Sequence, residues 1–394
     1  MSIYRLIILG NGIDLNSGLE SRYSDFYKKR FSDNDLQVME DFRKSCEYHL
    51  SPDNNRYLTI LDYYYFFDRK NYYRYLRVKK DDNFSPTFNF NDISFWDLYF
   101  IFSKESIPFE WNSIENQILS FLEFIRKSKS YSEGYGLSRT WFNNTIYLAS
   151  SYFYLYFPKE RFSKFKSIDN FLKSELLILE KSFSKYLNSE IIIHHNYHKN
   201  YANLFDSIKG TTRYEYVQVI DFNYTNPFLR NVSKSDLSIS HVHGSLEKGD
   251  IIFGIDSQNI KPSSPDYKFT KTYRQLIGNY ASRPDNPSLP NKNTLECIVF
   301  YGHSLSKADY AYFQSMFDHY NIYDSDVKLI FFYSIYDLEK SLEIKSEMVE
   351  RVIKLLEAYS ATITNQDHGK NLIHKLLLEN RISISNDIEN FWNP

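Results

Sequence analysis

The feature that most constrains this chain lies close to its start. Leu6-Ile7-Ile8-Leu9 is an unbroken apolar run, and Gly10-Asn11-Gly12-Ile13-Asp14-Leu15 follows directly. A strand with one wet face alternates apolar and polar residues. A strand that is apolar at every position has to be covered on both faces, as in a parallel sheet between helical layers. The two glycines behind it mark a sharp turn and let a ligand approach bare backbone. A helix is expected next, opening near Ser21 and running through Phe26 to Phe31. Strand, glycine turn and helix N-terminus together form a natural cradle for a pyrophosphate. The plainer alternative is a βα turn that needs glycine only for its geometry, because Leu15 stands where the dinucleotide fingerprint has its third glycine.

The strand-helix rhythm returns after residue 214. Val217-Gln218-Val219-Ile220, residues 237–242, Ile251-Ile252-Phe253, residues 297–301 and residues 328–333 read as strands. Helices are expected over 269–278, 306–320 and 343–359, the last with Met348, Val352, Leu355 and Leu356 on one face. This alternation implies an α/β fold with a parallel, Rossmann-like sheet. Residues from about 36 to 210 read instead as mainly helical, with Ile114, Ile118, Leu119, Leu122 and Ile125, and again Leu172, Leu176, Leu179 and Phe183, at helical spacing. Ile191-Ile192-Ile193 reads as a strand edge, and residues 81–91 and 283–293 as loops. The expected organisation is a nucleotide-binding domain of residues 1–35 and 211–394. A large helical insertion, residues 36–210, follows the first βα unit and is expected to lie over the carboxyl ends of the strands as a lid.

A chain of 394 residues can bury a substantial core, as one large domain or two moderate ones. Its formal net charge of −2 gives no electrostatic footprint for nucleic acid. The basic runs Lys28-Lys29-Arg30 and Lys79-Lys80 are short enough to be solvated faces. The 35 Tyr and 32 Phe form clusters at 63–67 and 152–157 that could serve as base-stacking platforms, but with no basic groove beside them a general compositional bias, with Tyr suited to half-buried surfaces, is the preferred reading. Cys46 and Cys297 are too far apart in sequence to suggest a disulfide framework, which fits a reducing compartment. No apolar run approaches the roughly 18 residues that span a membrane. Met1 is followed almost at once by the first core strand, so a cytoplasmic location without a signal peptide or membrane association is expected.

Four loops follow expected strands: 10–18, 221–226, 241–245 and 302–309. Ligands of open α/β sheets bind outside the carboxyl ends of the strands, so these loops are expected to meet at one crevice. Taken singly, Asn223 and Asn226 suit turns, Ser304 and Ser306 suit helix caps, and His243 suits a core. His241 would share the strand face of His243. Together, four polar strand ends, three of them with glycine, point to a site. A competing cluster is His194-His195-Asn196-Tyr197-His198, whose outer histidines would share a helical face and suit zinc, although the metalloprotease Glu is missing.

These residues resemble the AbiH family of bacterial abortive-infection proteins. The likeness is carried by Gly10-Asn11-Gly12-Ile13-Asp14-Leu15, Gly18-Leu19, Ser21, Tyr23 and Asp25-Phe26. Trp111 with Glu115, Phe222-Asn223-Tyr224-Thr225, His241-Val242-His243-Gly244, residues 252–256, and Gly302-His303-Ser304-Leu305 with Asp309 follow in order. Ile13 stands where the family usually has Phe, and Glu20 where Pro is common. The family is in turn distantly similar to sirtuin-like NAD-binding proteins, with Asn223, His243-Gly244 and Gly302-His303-Ser304 at matching landmarks. Asp14 replaces the usual Ser of the phosphate loop, and two cysteines cannot supply the zinc ribbon of deacetylating sirtuins.

The resemblance implies an antiphage effector that hydrolyses NAD, or a related nucleotide, at the nicotinamide–ribose bond. It makes Asn223 and His243 catalytic. It assigns Gly10, Asn11, Gly12, Ile13, Asp14, Gly18, Tyr23, Gly302, His303, Ser304 and Asp309 to nucleotide binding, with no metal required. Backbone donors at residues 10–12 would hold the phosphates. A nucleotide is the expected ligand, with room for a phage-derived trigger and for a homo-oligomer. The alternatives are a non-catalytic nucleotide sensor and a nuclease-type toxin, for which Asp221, Asp256 and Asp309 are the carboxylates to consider.

Overall fold

The computed structural model describes residues 4–50, 80–103, 111–132, 144–165, 167–210, 216–226, 237–257, 260–278 and 289–392. The aromatic run 63–67, Lys79 and most of the loop 283–293 lie outside them. Two compact units are present: Met1–Ser21, Leu187–Ile252 and Gln275–Pro394 form one, and Arg22–Tyr186 with Phe253–Arg274 the other.

The first unit is α/β. Among the described residues its sheet has six strands: β1 Tyr4–Leu9, β2 Tyr216–Asp221, β3 Leu237–His241, β4 Leu295–Tyr301, β5 Lys328–Phe332 and β6 Ile382–Ser385. Their order is β3-β2-β1-β4-β5-β6, and every pairing is parallel. The apolar runs are explained by two cores, one on each face. Leu6, Ile8, Ile220, Ile298, Phe300, Leu329 and Phe331 pack on helices Tyr310–His319, Ser341–Ser360 and Gln366–Leu378 through Phe313, Phe317, Val352, Leu356 and Leu372. Ile7, Leu9, Val219, Val299, Tyr301 and Phe332 pack on helix Tyr197–Lys209 through Tyr197, Tyr201, Phe205 and Ile208. This helix belongs to the sheet's unit, although the expected domain boundary fell after it. Its apolar residues recur at helical spacing, and they cover the second face of the sheet.

Several local expectations fail for identifiable reasons. Ile251-Ile252-Phe253 is buried but forms no ladder: the Ile252 amide donates to the His243 carbonyl (2.9 Å) and the Phe253 amide to the Glu180 carboxylate (2.6 Å). Ile191–Ile193 ends the 26-residue helix Ile168–Ile193 rather than forming a strand. Extending an existing helix costs far less than starting one, so three β-branched residues at its end do not break it. The helix expected from Ser21 to Phe31 is present as Tyr23–Arg30, but a short helix that was not expected, Gly12–Asn16, precedes it at the glycine turn. The sequence reading did not resolve helix Gln366–Leu378 or edge strand β6.

The second unit is helical, including Tyr23–Arg30, Asp33–Leu50, Phe95–Phe102, Trp111–Ser132, Asn144–Tyr156 and helix Ile168–Ile193 as far as Tyr186. Its aromatics fill the core rather than a stacking platform. Phe95 meets Phe121, Phe153 and Phe171 edge-on at 5.7, 5.9 and 5.6 Å between centroids, and Tyr152 and Phe153 are fully buried. Buried charges are paired. Arg30 grips Asp97 at 2.7 and 2.8 Å, and Arg274 holds Glu180, with a second contact at 2.8 Å. No helix among the described residues is long and apolar enough to cross a membrane.

Candidate functional site

Because β3, β2, β1 and β4 are adjacent and parallel, all four polar loops leave the same edge of the sheet. The order reverses between β1 and β4, the kind of switch point outside which open α/β sheets bind ligands. The strands end level: Leu9 pairs with both Asp221 and Tyr301, and Asp221 with His241.

The glycines serve the contact between the first and fourth loops. The Gly10 amide donates to the Tyr301 carbonyl at 3.0 Å and the Gly12 amide to the Gly302 carbonyl at 2.8 Å. A Cβ on Gly10 would lie 2.4 Å from the His303 Cα, and one on Gly12 2.5 Å from the Gly302 Cα. Gly302 itself has φ +68. Of the amides at residues 10–12 expected to cradle phosphate, those of Gly10 and Gly12 are therefore bonded within the protein. The helix that opens there, Gly12–Asn16, has only five residues, too few for a substantial macrodipole. Asn11 braces the turn, its Oδ1 accepting from the Ser21 hydroxyl at 2.6 Å. Ile13 is core. Gly18, at φ +89, is exposed with open space around it. Tyr23 lies in the second unit, buried among Phe26, Phe100 and Phe183.

Asp14 is committed to the fold. Its carboxylate accepts from the Tyr197 hydroxyl at 2.7 Å and from the Thr225 hydroxyl at 3.0 and 2.9 Å. Burial pushes its pKa up to about 6, against the pull of those two hydroxyls. Asp221, at the end of β2, is also fully buried; desolvation raises its pKa well above the usual carboxylate range, and the charge of Asp14 adds to the rise. Its Oδ1 accepts the Asn223 amide at 2.8 Å, an Asx turn that fixes the second loop.

Two imidazoles, His243 from the loop after β3 and His303 from the loop after β4, share one carboxylate across the switch point. His243 Nε2 lies 3.2 Å from Asp309 Oδ1, and His303 Nε2 lies 3.5 Å from Asp309 Oδ2. The Leu305 amide donates to His303 Nδ1 at 2.9 Å, so the proton of a neutral His303 sits on Nε2, toward Asp309. Phe222 packs edge-on against both rings, with centroids 5.4 and 4.5 Å away. His241 does not join them. Its Nδ1 lies 3.2 Å from the Asn223 carbonyl and 3.7 Å from Asp221 Oδ2, because the chain turns at Val242 after β3 ends. Ser304 is exposed on the fourth loop.

The proposed zinc pair is separated by a helix break, since one helix ends at Ile193 and the next begins at Tyr197. His194 instead faces Glu190 at 3.3 Å, and Glu20 brings a third ligand-type atom within 4.8 Å of both. The sequence reading missed a polar brace across three loops. Asn16 Nδ2 donates to the Tyr301 hydroxyl and to Ser334 Oγ, each at 2.7 Å. Nothing local marks these residues; they meet only because β1, β4 and β5 lie side by side.

No curated protein and no solved structure matched the chain. The sequence model of bacteriophage abortive infection AbiH matches residues 6–333, a span that runs from within β1 to just past β5 and holds all four polar loops. The chain therefore belongs to the bacteriophage abortive-infection family AbiH.

Proposed function

We propose that this protein is an antiphage abortive-infection effector that hydrolyses NAD, or a related nucleotide, at the nicotinamide–ribose bond. Family membership supports the defence role. The observation that carries the chemical reading is the pairing of His243 with Asp309 at 3.2 Å, on loops that leave the carboxyl edge of a parallel sheet, as the loop of Asn223 does. The strand order 3-2-1-4-5-6 is that of dinucleotide-binding folds, and supports a nucleotide at the switch point.

Nicotinamide leaves as a neutral base, so the site needs no strong acid. It has to stabilise an oxocarbenium-like ribose and aim a water at it. With its Nε2–H directed to Asp309, His243 carries its basic lone pair on Nδ1 and takes a proton from water or a ribose hydroxyl. Asn223 orients the water. Gly10, Gly12 and Gly302 act indirectly, by holding the loops in register, and exposed Ser304 is the side chain offered to a phosphate. The nuclease alternative loses support. Burial favours the protonated form of Asp221, and Asp309 is engaged by two imidazoles.

The test is incubation of purified protein with a nucleotide panel, products being identified by mass spectrometry. Asn223→Ala and His243→Ala are expected to lose cleavage on the order of 10²-fold or more. Both should lose protection of phage-challenged cells while remaining folded. Full protection by the folded variants refutes the catalytic assignment. Lost protection with NAD unchanged in infected wild-type cells keeps the site and discards NAD.

A further inference from the structure

The first loop and the end of helix Ile168–Ile193 meet at a cluster that the proposed reaction leaves unused. Among the described residues, Glu20, Glu190 and His194 each bring one ligand-type atom to within 4.8 Å of the others. All three belong to the sheet's unit. The His194 amide donates to the Glu190 carbonyl at 2.9 Å, so the helical register runs one step past Ile193 and sets these two side chains, four apart, on one face. Glu20 arrives from the first loop between two anchored neighbours. The Leu19 side chain is core and its amide donates to the Asp14 carbonyl at 3.0 Å, while the Ser21 hydroxyl bonds to Asn11. The same loop is tied to the following helix, Asn200 Nδ2 donating to the Ser17 carbonyl at 3.2 Å. The fold therefore holds the three donors together through contacts other than their own.

Several observations favour a cation between them. Glu190 is only 2 % exposed, and a carboxylate taken out of water needs positive charge or hydrogen bonds beside it. It lies in the last turn of a 26-residue helix, where the backbone dipole gathers negative charge, and that turn holds no basic residue. His194 Nε2 stands 3.3 Å from Glu190 Oε2. Two ligands of one tetrahedral zinc ion, each about 2.0–2.1 Å from the metal, are about that far apart. Glu20 is exposed, so rotation of its side chain can close the remaining distance. Each carboxylate has two oxygens, and ligation by one is compatible with another contact at the same residue. The donor set of one imidazole and two carboxylates suits zinc-like ions, whereas magnesium and calcium favour oxygen alone.

We propose that Glu20, Glu190 and His194 bind a divalent ion of the zinc class, which fastens the glycine loop to the end of helix Ile168–Ile193. Three protein ligands leave a fourth position for water on the exposed side. Ligation takes the lone pair of His194 Nε2, so any proton held between it and Glu190 is released as the metal enters. The ion takes no part in the nucleotide reaction, and its site stands or falls separately from it.

The experiment titrates the chelator-stripped full chain with Zn²⁺ by calorimetry, and with Co²⁺ as an optical probe, for wild type, Glu20→Gln, His194→Ala and the neighbouring control His195→Ala. Wild type is expected to bind a single ion, to show the visible absorption of low-coordinate Co²⁺, and to melt higher when loaded. Glu20→Gln and His194→Ala alter side chains that solvent reaches, so both should fold as wild type without metal. Each should lose affinity on the order of 100-fold or more, at least the cost of disturbing an outer-shell partner. His195→Ala should bind as wild type does. Failure of wild type to bind at micromolar metal overturns the site and leaves a histidine–glutamate pair at a helix end. Binding that survives either Glu20→Gln or His194→Ala also overturns it, as does a loss in His195→Ala equal to that in His194→Ala, because the metal then sits elsewhere.

Discussion

A single methyl group tests what the glycines of the first loop are for. In Gly12→Ala the new Cβ would sit 2.5 Å from the Gly302 Cα, and 3.0 Å from its carbonyl oxygen. Carbon atoms in contact rest at about 3.5–4.0 Å, so the loops must separate by roughly 1 Å. The obstacle is backbone held at φ +68, so no side chain can swing aside. Separation also stretches the 2.8 Å hydrogen bond from the Gly12 amide to Gly302. Overpacking of this kind costs about 1–3 kcal/mol, and the weakened bond about 1 kcal/mol more. The expected total of about 2–4 kcal/mol corresponds to a drop in Tm of roughly 5–15 °C for a unit of this size. Gly18→Ala is the control. It also has positive φ, at +89, but a Cβ there meets nothing, so it should lose only about 1 kcal/mol. The assay is thermal and urea denaturation of both variants beside wild type. If Gly12→Ala melts with wild type, or no lower than Gly18→Ala, the loop-contact account of these glycines is wrong and a ligand-facing role regains its place.

Three further outcomes follow from buried charge. The pKa of Asp14 is raised to about 6, so its contribution to stability is fully present below the unfolded value of 3.8 and is lost as pH rises through about 6. Between about pH 4 and pH 7.5 the stability of Asp14→Asn should therefore gain on wild type by an amount of order 3 kcal/mol, read from denaturant midpoints; a gap that does not change with pH would mean this carboxyl titrates normally. In the helical unit, Glu180→Ala strands Arg274 and unbonds the Phe253 amide, and should cost about 3–5 kcal/mol in urea unfolding; a loss under 1 kcal/mol would show that the pair is solvated. Asp309→Asn should lower nucleotide cleavage while leaving binding nearly unchanged, because it removes the group that fixes the tautomer of His243; unaltered turnover would rule out that pairing.

The sheet was legible because a doubly buried strand leaves a mark that little else leaves. Leu6 to Leu9, Val217 to Ile220 and residues 297–301 read as strands because helices on both faces permit few polar positions, Gln218 being the exception in these runs. Most of the long helices 111–132, 168–193 and 341–360 was legible from apolar spacing, although Ile191–Ile193 at the end of the second read as a strand edge. The family was legible too, because its motif is an ordered set of short pieces along the chain.

The pattern also placed four polar loops at one edge of the sheet, since loops after adjacent parallel strands leave the same side. It could not fix what each residue does there. That Gly10 and Gly12 face the fourth loop depends on β1 lying beside β4, nearly three hundred residues away. Whether Asp14 meets a ligand or the hydroxyls of Tyr197 and Thr225 depends on a helix and a loop that only the fold brings over it. His241 and His243 looked alike, two apart on one strand. The strand ends between them, so one turns to Asp221 and Asn223 and the other to Asp309. Local pattern records which atoms must be buried, and long-range packing decides which atoms they are buried against.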